Sequence, residues 1–129
     1  MLEKEYNGRL IDSEQASEMG YCCYIQWLKS ISRYGNIKRT CLFFDLHNGG
    51  SLRTIFFTND HTYYISCRLP SDSCKEGYLG CTARCRKPRP GETWTRGSDL
   101  ADGKYKEETF RRIVNDIVGY EMKSLQCFK

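Results

Sequence analysis

Between Lys38 and Leu69 the chain holds three runs rich in Thr, Phe, Tyr and Ile: Lys38 to Leu46, Leu52 to Thr58 and Thr62 to Leu69. They are separated by His47-Asn48-Gly49-Gly50 and by Asn59-Asp60, residues that favour tight reversals. Extended runs this close together can pair only by folding back on one another, which predicts a three-stranded antiparallel meander. In the third run Tyr63, Ile65, Cys67 and Leu69 alternate with Thr62, Tyr64, Ser66 and Arg68. The first set is sent to a core and the second to water or a ligand. Arg53 sits among apolar residues of the second run in the same way. A solvated sheet face accounts for Arg53 and Arg68 as readily as a binding surface does.

On the N-terminal side, Asp12 to Gly35 reads as a helix. Asp12 or Ser13 can accept from the free N–H groups of a first turn, and Glu14 and Glu18 suit the positive end of the helix dipole. Lys29 and Arg33 suit the other end, and Gly35 can stop it. Ala16, Met19, Cys23, Trp27, Ile31 and Tyr34 recur at spacings of three and four, predicting one buried face. A strand over Tyr21 to Leu28, with Gly20 as breaker, is the competing reading.

Leu69 to Asp102 contains Pro70, Pro88, Pro90 and several glycines, so it is expected to be mostly loop, with a short strand possible over Tyr78 to Ala83. The chain then closes on an amphipathic helix. Phe110, Ile113, Val114, Ile117, Val118, Met122 and Leu125 mark its apolar stripe, and Glu107 and Glu108 occupy its first turn. The expected fold is α+β in a single domain spanning residues 1–129. It has an N-terminal helix, a three- to four-stranded antiparallel meander, a long Pro/Arg loop and a C-terminal amphipathic helix packed on the sheet.

The charge is uneven. Of 20 Lys and Arg against 16 Asp and Glu, five basic residues (Arg84, Arg86, Lys87, Arg89, Arg96) and the single Glu92 fall between positions 84 and 96, leaving 15 against 15 elsewhere. An evenly basic nucleic-acid coat is excluded, and affinity for anions is concentrated in one segment. No apolar run reaches the roughly 18 residues of a membrane span. Met-Leu-Glu-Lys-Glu at the start has no apolar targeting segment, so a cytoplasmic location with reduced thiols is expected. The length of 129 residues and the eight cysteines coincide with animal-type lysozymes, but the chain lacks that family's sequence pattern.

The basic segment combines chemistry suited to phosphate-bearing ligands. Arginine forks take phosphate oxygens bidentately, Trp94 offers a flat face for a base, and Ser98, Asp99 and Asp102 follow with groups for ribose hydroxyls. The competing account has Arg96 paired with Asp99 or Asp102 and Trp94 in the core. Cys67, Cys74, Cys81 and Cys85 contain no Cys-x-x-Cys clamp, so buried small hydrophobes describe them better than a zinc site. His47 and His61 bear no recognisable relation to a nucleophile and no catalytic motif is present, so no enzyme activity and no cofactor are expected.

The run Gly91-Glu-Thr-Trp-Thr-Arg-Gly-Ser-Asp-Leu-Ala-Asp-Gly103, followed by Glu107-Glu-Thr-Phe-Arg-Arg-Ile-Val-Asn-Asp-Ile-Val-Gly-Tyr-Glu121, resembles the C-terminal half of the Thoeris anti-defence sponges of bacteriophages. That resemblance implies a phage protein of the bacterial cytoplasm that binds and sequesters cyclic ADP-ribose immune signals. It also implies homo-oligomers, some of which hold cyclic oligonucleotides at a second site. The residues themselves suggest the contacts: phosphate on Arg96 with Arg84, Arg86 or Arg89, and base on Trp94. Ser98 and Asp99 stand beside them, with Arg53, Tyr64 and Arg68 on the sheet and Arg111 and Arg112 on the last helix. A nucleic-acid-binding module using residues 84–96 is the alternative.

Overall fold

The structure, a computed structural model, describes residues 8–31, 37, 39–46, 50–85, 90, 91, 93 and 97–127. Its centre is a six-stranded sheet in which each strand pairs antiparallel with the next: β1 (Arg9–Ile11), β2 (Arg39–Asp45), β3 (Ser51–Phe57), β4 (His61–Arg68), β5 (Tyr78–Cys85) and β6 (Gly97–Gly103). The class is α+β as expected, but the meander has more than three to four strands. The additions are β1 and β6, and β5 extends beyond the short strand expected at Tyr78 to Ala83.

Strand β6, Gly97-Ser-Asp-Leu-Ala-Asp-Gly103, has the composition of a loop. It is a strand because β5 supplies pairing partners, Ala83 opposite Ser98 and Leu79 opposite Gly103, with a register shift between Gly80 and Thr82. The C-terminal helix α3 (Glu107–Cys127) ties it down as well. The Ala101 N–H donates to Asp116 at 2.8 Å and Arg112 donates to the Asp102 carbonyl at 3.2 Å.

The N-terminal helical region is made of three pieces: α1 (Ser13–Ala16), a segment kinked at Gly20 (Ser17–Tyr21) and α2 (Cys22–Ile31). Asp12 is the cap. Its carboxylate accepts from the Gln15 N–H at 2.7 Å, and the Gln15 side chain accepts from the Asp12 N–H at 3.0 Å. Gly20, at φ 104°, leaves helical geometry and shifts the faces beyond it. Ala16 and Ile31 are buried as the periodicity predicts, but Cys23 is exposed and its place is taken by Tyr21, Tyr24 and Ile25. The region is helical through Leu28, which overturns the competing strand reading. Arg33, Tyr34, Gly35 and the turn residues His47, Asn48 and Gly49 lie outside the described residues.

All these helices cover one face of the sheet. Leu52, Phe56, Tyr63, Ile65, Cys67, Leu79 and Ala83 point into the layer between, meeting Tyr24, Ile25, Phe110, Ile113 and Ile117. Rings pack edge-on there, Tyr24 against Phe110 with centroids 5.9 Å apart. The stripe of α3 leaves the core at its far end, where Met122 is 57% exposed. Among the described residues no helix is long and apolar enough to cross a membrane.

Candidate functional site

Alternation along the strands decides what the outer face of the sheet, turned away from the helices, presents. Register places Arg53 beside Ser66, Tyr64 between Ile55 and Thr82, and Thr62 beside Arg84. Cys41, Phe43 and Ile55 form a small buried patch on this face, with Phe57 and Tyr64 packed against it. Beside the patch opens a cleft of about 430 Å³ lined by Arg53, Tyr64, Ser66, Thr82 and Arg84 among others. That volume lies within the range of small-molecule sites.

The two arginines stand at opposite ends of a diagonal through Tyr64. They are two strands and about four residues apart, so their Cα atoms are about 16 Å from each other by sheet geometry, and side chains as long as arginine reach inward from both ends. Arg84 lies over the Tyr64 ring, 5.9 Å from its centroid. This cation–π contact holds the guanidinium above the sheet. Arg53 is anchored by the buried Asp45 carboxylate at 3.6 Å while 45% of its own side chain stays exposed. The Thr82 hydroxyl donates to Asp99 at 3.4 Å, bringing that acid to the border of the cleft. Two cations, an aromatic ring and two hydroxyls on rigid strands form a surface able to hold an anion with a flat apolar part.

Arg53, Tyr64, Arg84 and Asp99 are therefore gathered in one place. Arg68 falls on the same face by alternation, yet its side chain lines a different cavity near Tyr21. Ser98 is on the helix side, where its hydroxyl meets that of Tyr120 at 3.4 Å, so it does not belong with Asp99. Arg111 pairs with Glu107 at 3.0 Å and Arg112 holds β6, both in the helix layer away from the cleft. Arg86, Arg89, Trp94 and Arg96 lie outside the described residues. Ser66 and Thr82 line the cleft without having been singled out as ligand contacts. The alternation of β4 carried the signal for Ser66, and Thr82 sat in the short strand considered over Tyr78 to Ala83, whose partner and facing were not assigned.

A second polar cluster lies on the helix side. His61 Nδ1 and Glu121 share a short hydrogen bond, and the Tyr63 hydroxyl donates to the same carboxylate at 2.9 Å. Tyr120 packs edge-on against His61 with centroids 4.6 Å apart. Burial pushes the Glu121 carboxyl up, but hydrogen bonds from His61, Thr58 and Tyr63 outweigh it and leave the group below its ordinary value. Burial, with Glu121 adding to it, raises Tyr63 far above a normal phenol. The cluster fastens the end of α3 to β4.

Among the described residues no group of three or more His, Cys, Asp or Glu side chains is placed to hold a metal ion. Cys41, Cys67 and Cys81 are buried, Cys74 and Cys85 half-buried, and Cys22 and Cys23 exposed. Comparison of the chain with protein-family models, curated proteins and solved structures finds no match.

Proposed function

We propose that the protein binds and sequesters a cyclic nucleotide second messenger of the cyclic ADP-ribose type on the outer face of its sheet, without turning it over. The reading rests on one observation above the others: Arg53 and Arg84 flank Tyr64 across a cleft of about 430 Å³. Phosphates meet the guanidinium groups, adenine lies on the Tyr64 ring, and Ser66 and Thr82 take ribose hydroxyls. Arg84 also begins the basic segment through Arg96, so Arg86, Arg89, Trp94 and Arg96 extend the same site in sequence. A sponge of this kind acts by affinity and pre-organisation, which strands supply better than loops. The sequence resemblance adds the setting: a phage protein, homo-oligomeric, in the cytoplasm of a bacterial host, keeping an immune effector silent.

Titration calorimetry with the cyclic ADP-ribose isomers tests this directly. Saturable binding of one isomer is expected, weakened about tenfold or more by Arg53→Ala, by Arg84→Ala and by Tyr64→Ala. Absence of binding by every isomer and by the common cyclic di- and trinucleotides refutes the reading. The continuity of Arg84 with the basic segment also suits a single nucleic-acid strand tracking across the sheet onto the loop. Affinity that rises with strand length and falls steeply with salt distinguishes that case.

A further inference from the structure

On the helix side of the sheet, where β4 begins and β5 stops, the fold brings together residues from three elements. Pairing sets His61, the first residue of β4, directly across from Cys85, the last of β5. Side chains of directly opposed residues on antiparallel strands leave the sheet on the same face, with Cβ atoms about 4.5–5.5 Å apart. That face is the helix side, because His61 falls in step with Tyr63, Ile65 and Cys67, and Cys85 with Leu79, Cys81 and Ala83. From α3, Glu121 reaches the same spot and shares a hydrogen bond with His61 Nδ1.

The hydrogen bonding decides how the imidazole can act. Burial raises the Glu121 carboxyl, but hydrogen bonds from His61, Thr58 and Tyr63 outweigh it and keep the group ionised near neutrality. An ionised carboxylate only accepts, so the proton of the shared bond sits on Nδ1. The neutral ring then carries its lone pair at Nε2, the nitrogen able to take a proton. Tyr120 and Tyr63 hold the ring, with centroids 4.6 and 5.8 Å from its own. A carboxylate that orients an imidazole beside a thiol is an arrangement that makes cysteine nucleophilic. No hydrogen bond joins Cys85 to His61 in this structure, and such pairs often tighten only when a reactant is bound.

Cys85 is also reachable, being half-buried where Cys41, Cys67 and Cys81 are buried. Arg84 precedes it, and Arg86, Lys87 and Arg89 follow within four residues. Positive charge along the adjoining chain favours a thiolate and draws anionic reactants.

We propose that Cys85 is a nucleophilic thiol that forms mixed disulfides with small anionic disulfides, His61 taking its proton and Glu121 positioning the ring. Cys85 Sγ gives its proton to His61 Nε2 and attacks one sulfur of the small disulfide. The new S–S bond forms as the old one breaks, and the departing thiolate recovers the proton from His61. One disulfide is consumed and one is made, so no further oxidant is required. The site does not depend on the cyclic-nucleotide reading, since the cleft of Arg53, Tyr64 and Arg84 lies on the opposite face.

The test incubates the reduced full chain with glutathione disulfide, quenches with acid at intervals and scores each cysteine by peptide mapping. Exposure alone ranks Cys22 and Cys23 ahead of Cys85. The expected order is the reverse, with Cys85 modified about tenfold faster than either. His61→Gln, which keeps a donor for Glu121, should slow Cys85 about tenfold or more while Cys22 and Cys23 react as before. Its Cys85 rate should then climb steeply with pH through the thiol range, where the parent profile is flatter. Glu121→Gln should slow Cys85 in the same direction, and cystamine, a cationic disulfide, should react with it more slowly than glutathione disulfide. If His61→Gln fails to fold, the ranking of cysteines in the parent and the comparison of the two disulfides decide. The proposal is overturned by a Cys85 rate no greater than those of Cys22 and Cys23, or by an undiminished rate and unchanged pH profile in His61→Gln. Equal rates with cystamine and glutathione disulfide overturn it too.

Discussion

The hydroxyls of Tyr24 and Thr54 are 2.6 Å apart, and both residues are 0% exposed. They join α2 to β3 through the middle of the core. Tyr24→Phe keeps the ring packed on Phe110 but leaves the Thr54 hydroxyl without a partner among the described residues, a desolvated polar group that costs about 1–3 kcal/mol. Thr54→Val removes the other half at nearly constant volume and strands the Tyr24 hydroxyl, with a loss of about the same 1–3 kcal/mol. In the double variant neither orphan exists. Its stability should lie well above the sum of the two single losses, with a coupling of at least about 1 kcal/mol. In a chain of this length each kcal/mol corresponds to roughly 3–5 °C in melting temperature. Urea unfolding followed by circular dichroism measures all four members of the cycle, with unchanged m-values as the check on two-state behaviour. Burial holds the Tyr24 phenol far above its ordinary value, so the penalties should be flat between about pH 5 and 9. Single losses under about 0.5 kcal/mol that simply add would refute the buried hydroxyl pair and the seating of α2 on β3 with it.

The Glu121 carboxyl is lowered in the folded protein because the hydrogen bonds from His61, Thr58 and Tyr63 exceed the opposing effect of burial. Its contribution to stability is therefore complete above the unfolded carboxyl value and lost as pH falls through the folded one. Glu121→Gln should be less stable than the parent near neutrality, with the gap narrowing toward about pH 3 in urea titrations; a gap that widens on acidification would contradict the assignment. Thiol labelling followed by peptide mapping should find Cys22 and Cys23 modified quickly in native protein and Cys67 and Cys81 only on unfolding. The latter two are buried, which pushes Cys81 up to about 12 and Cys67 higher still. Rapid native labelling of Cys81 would show that β5 does not face the helix layer.

Local pattern carried much of this architecture. The alternation in Thr62 to Leu69 assigned both faces of β4 before any contact was known, because successive side chains on a strand must point to opposite sides. It therefore identified Tyr64 as outward-facing, and the setting of Arg53 did the same for β3. The capping role of Asp12 and the buried Phe110, Ile113 and Ile117 of α3 were legible for the same reason: they depend on spacing within a single element. What failed were inferences that depended on neighbours. Strand β6 reads as loop, and only its pairing with β5 and the hydrogen bonds from Asp116 and Arg112 make it a strand. The face of α2 moved because Gly20 breaks the helical progression that the periodicity assumed.

The candidate sites divide along the same line. Sequence by itself determined that arginines and an aromatic ring stand on a sheet face, since periodicity of two is a property of every strand. Only the tertiary structure decided that Arg84, from a segment read as loop, joins Arg53 and Tyr64 at one cleft, or that Ser98 and Asp99, adjacent in the chain, serve opposite faces. It alone brought Cys85 beside His61, with Glu121 from α3 on the imidazole. Those meetings depend on strand order and register between distant segments, which backbone pairing and core packing set for the sheet as a whole.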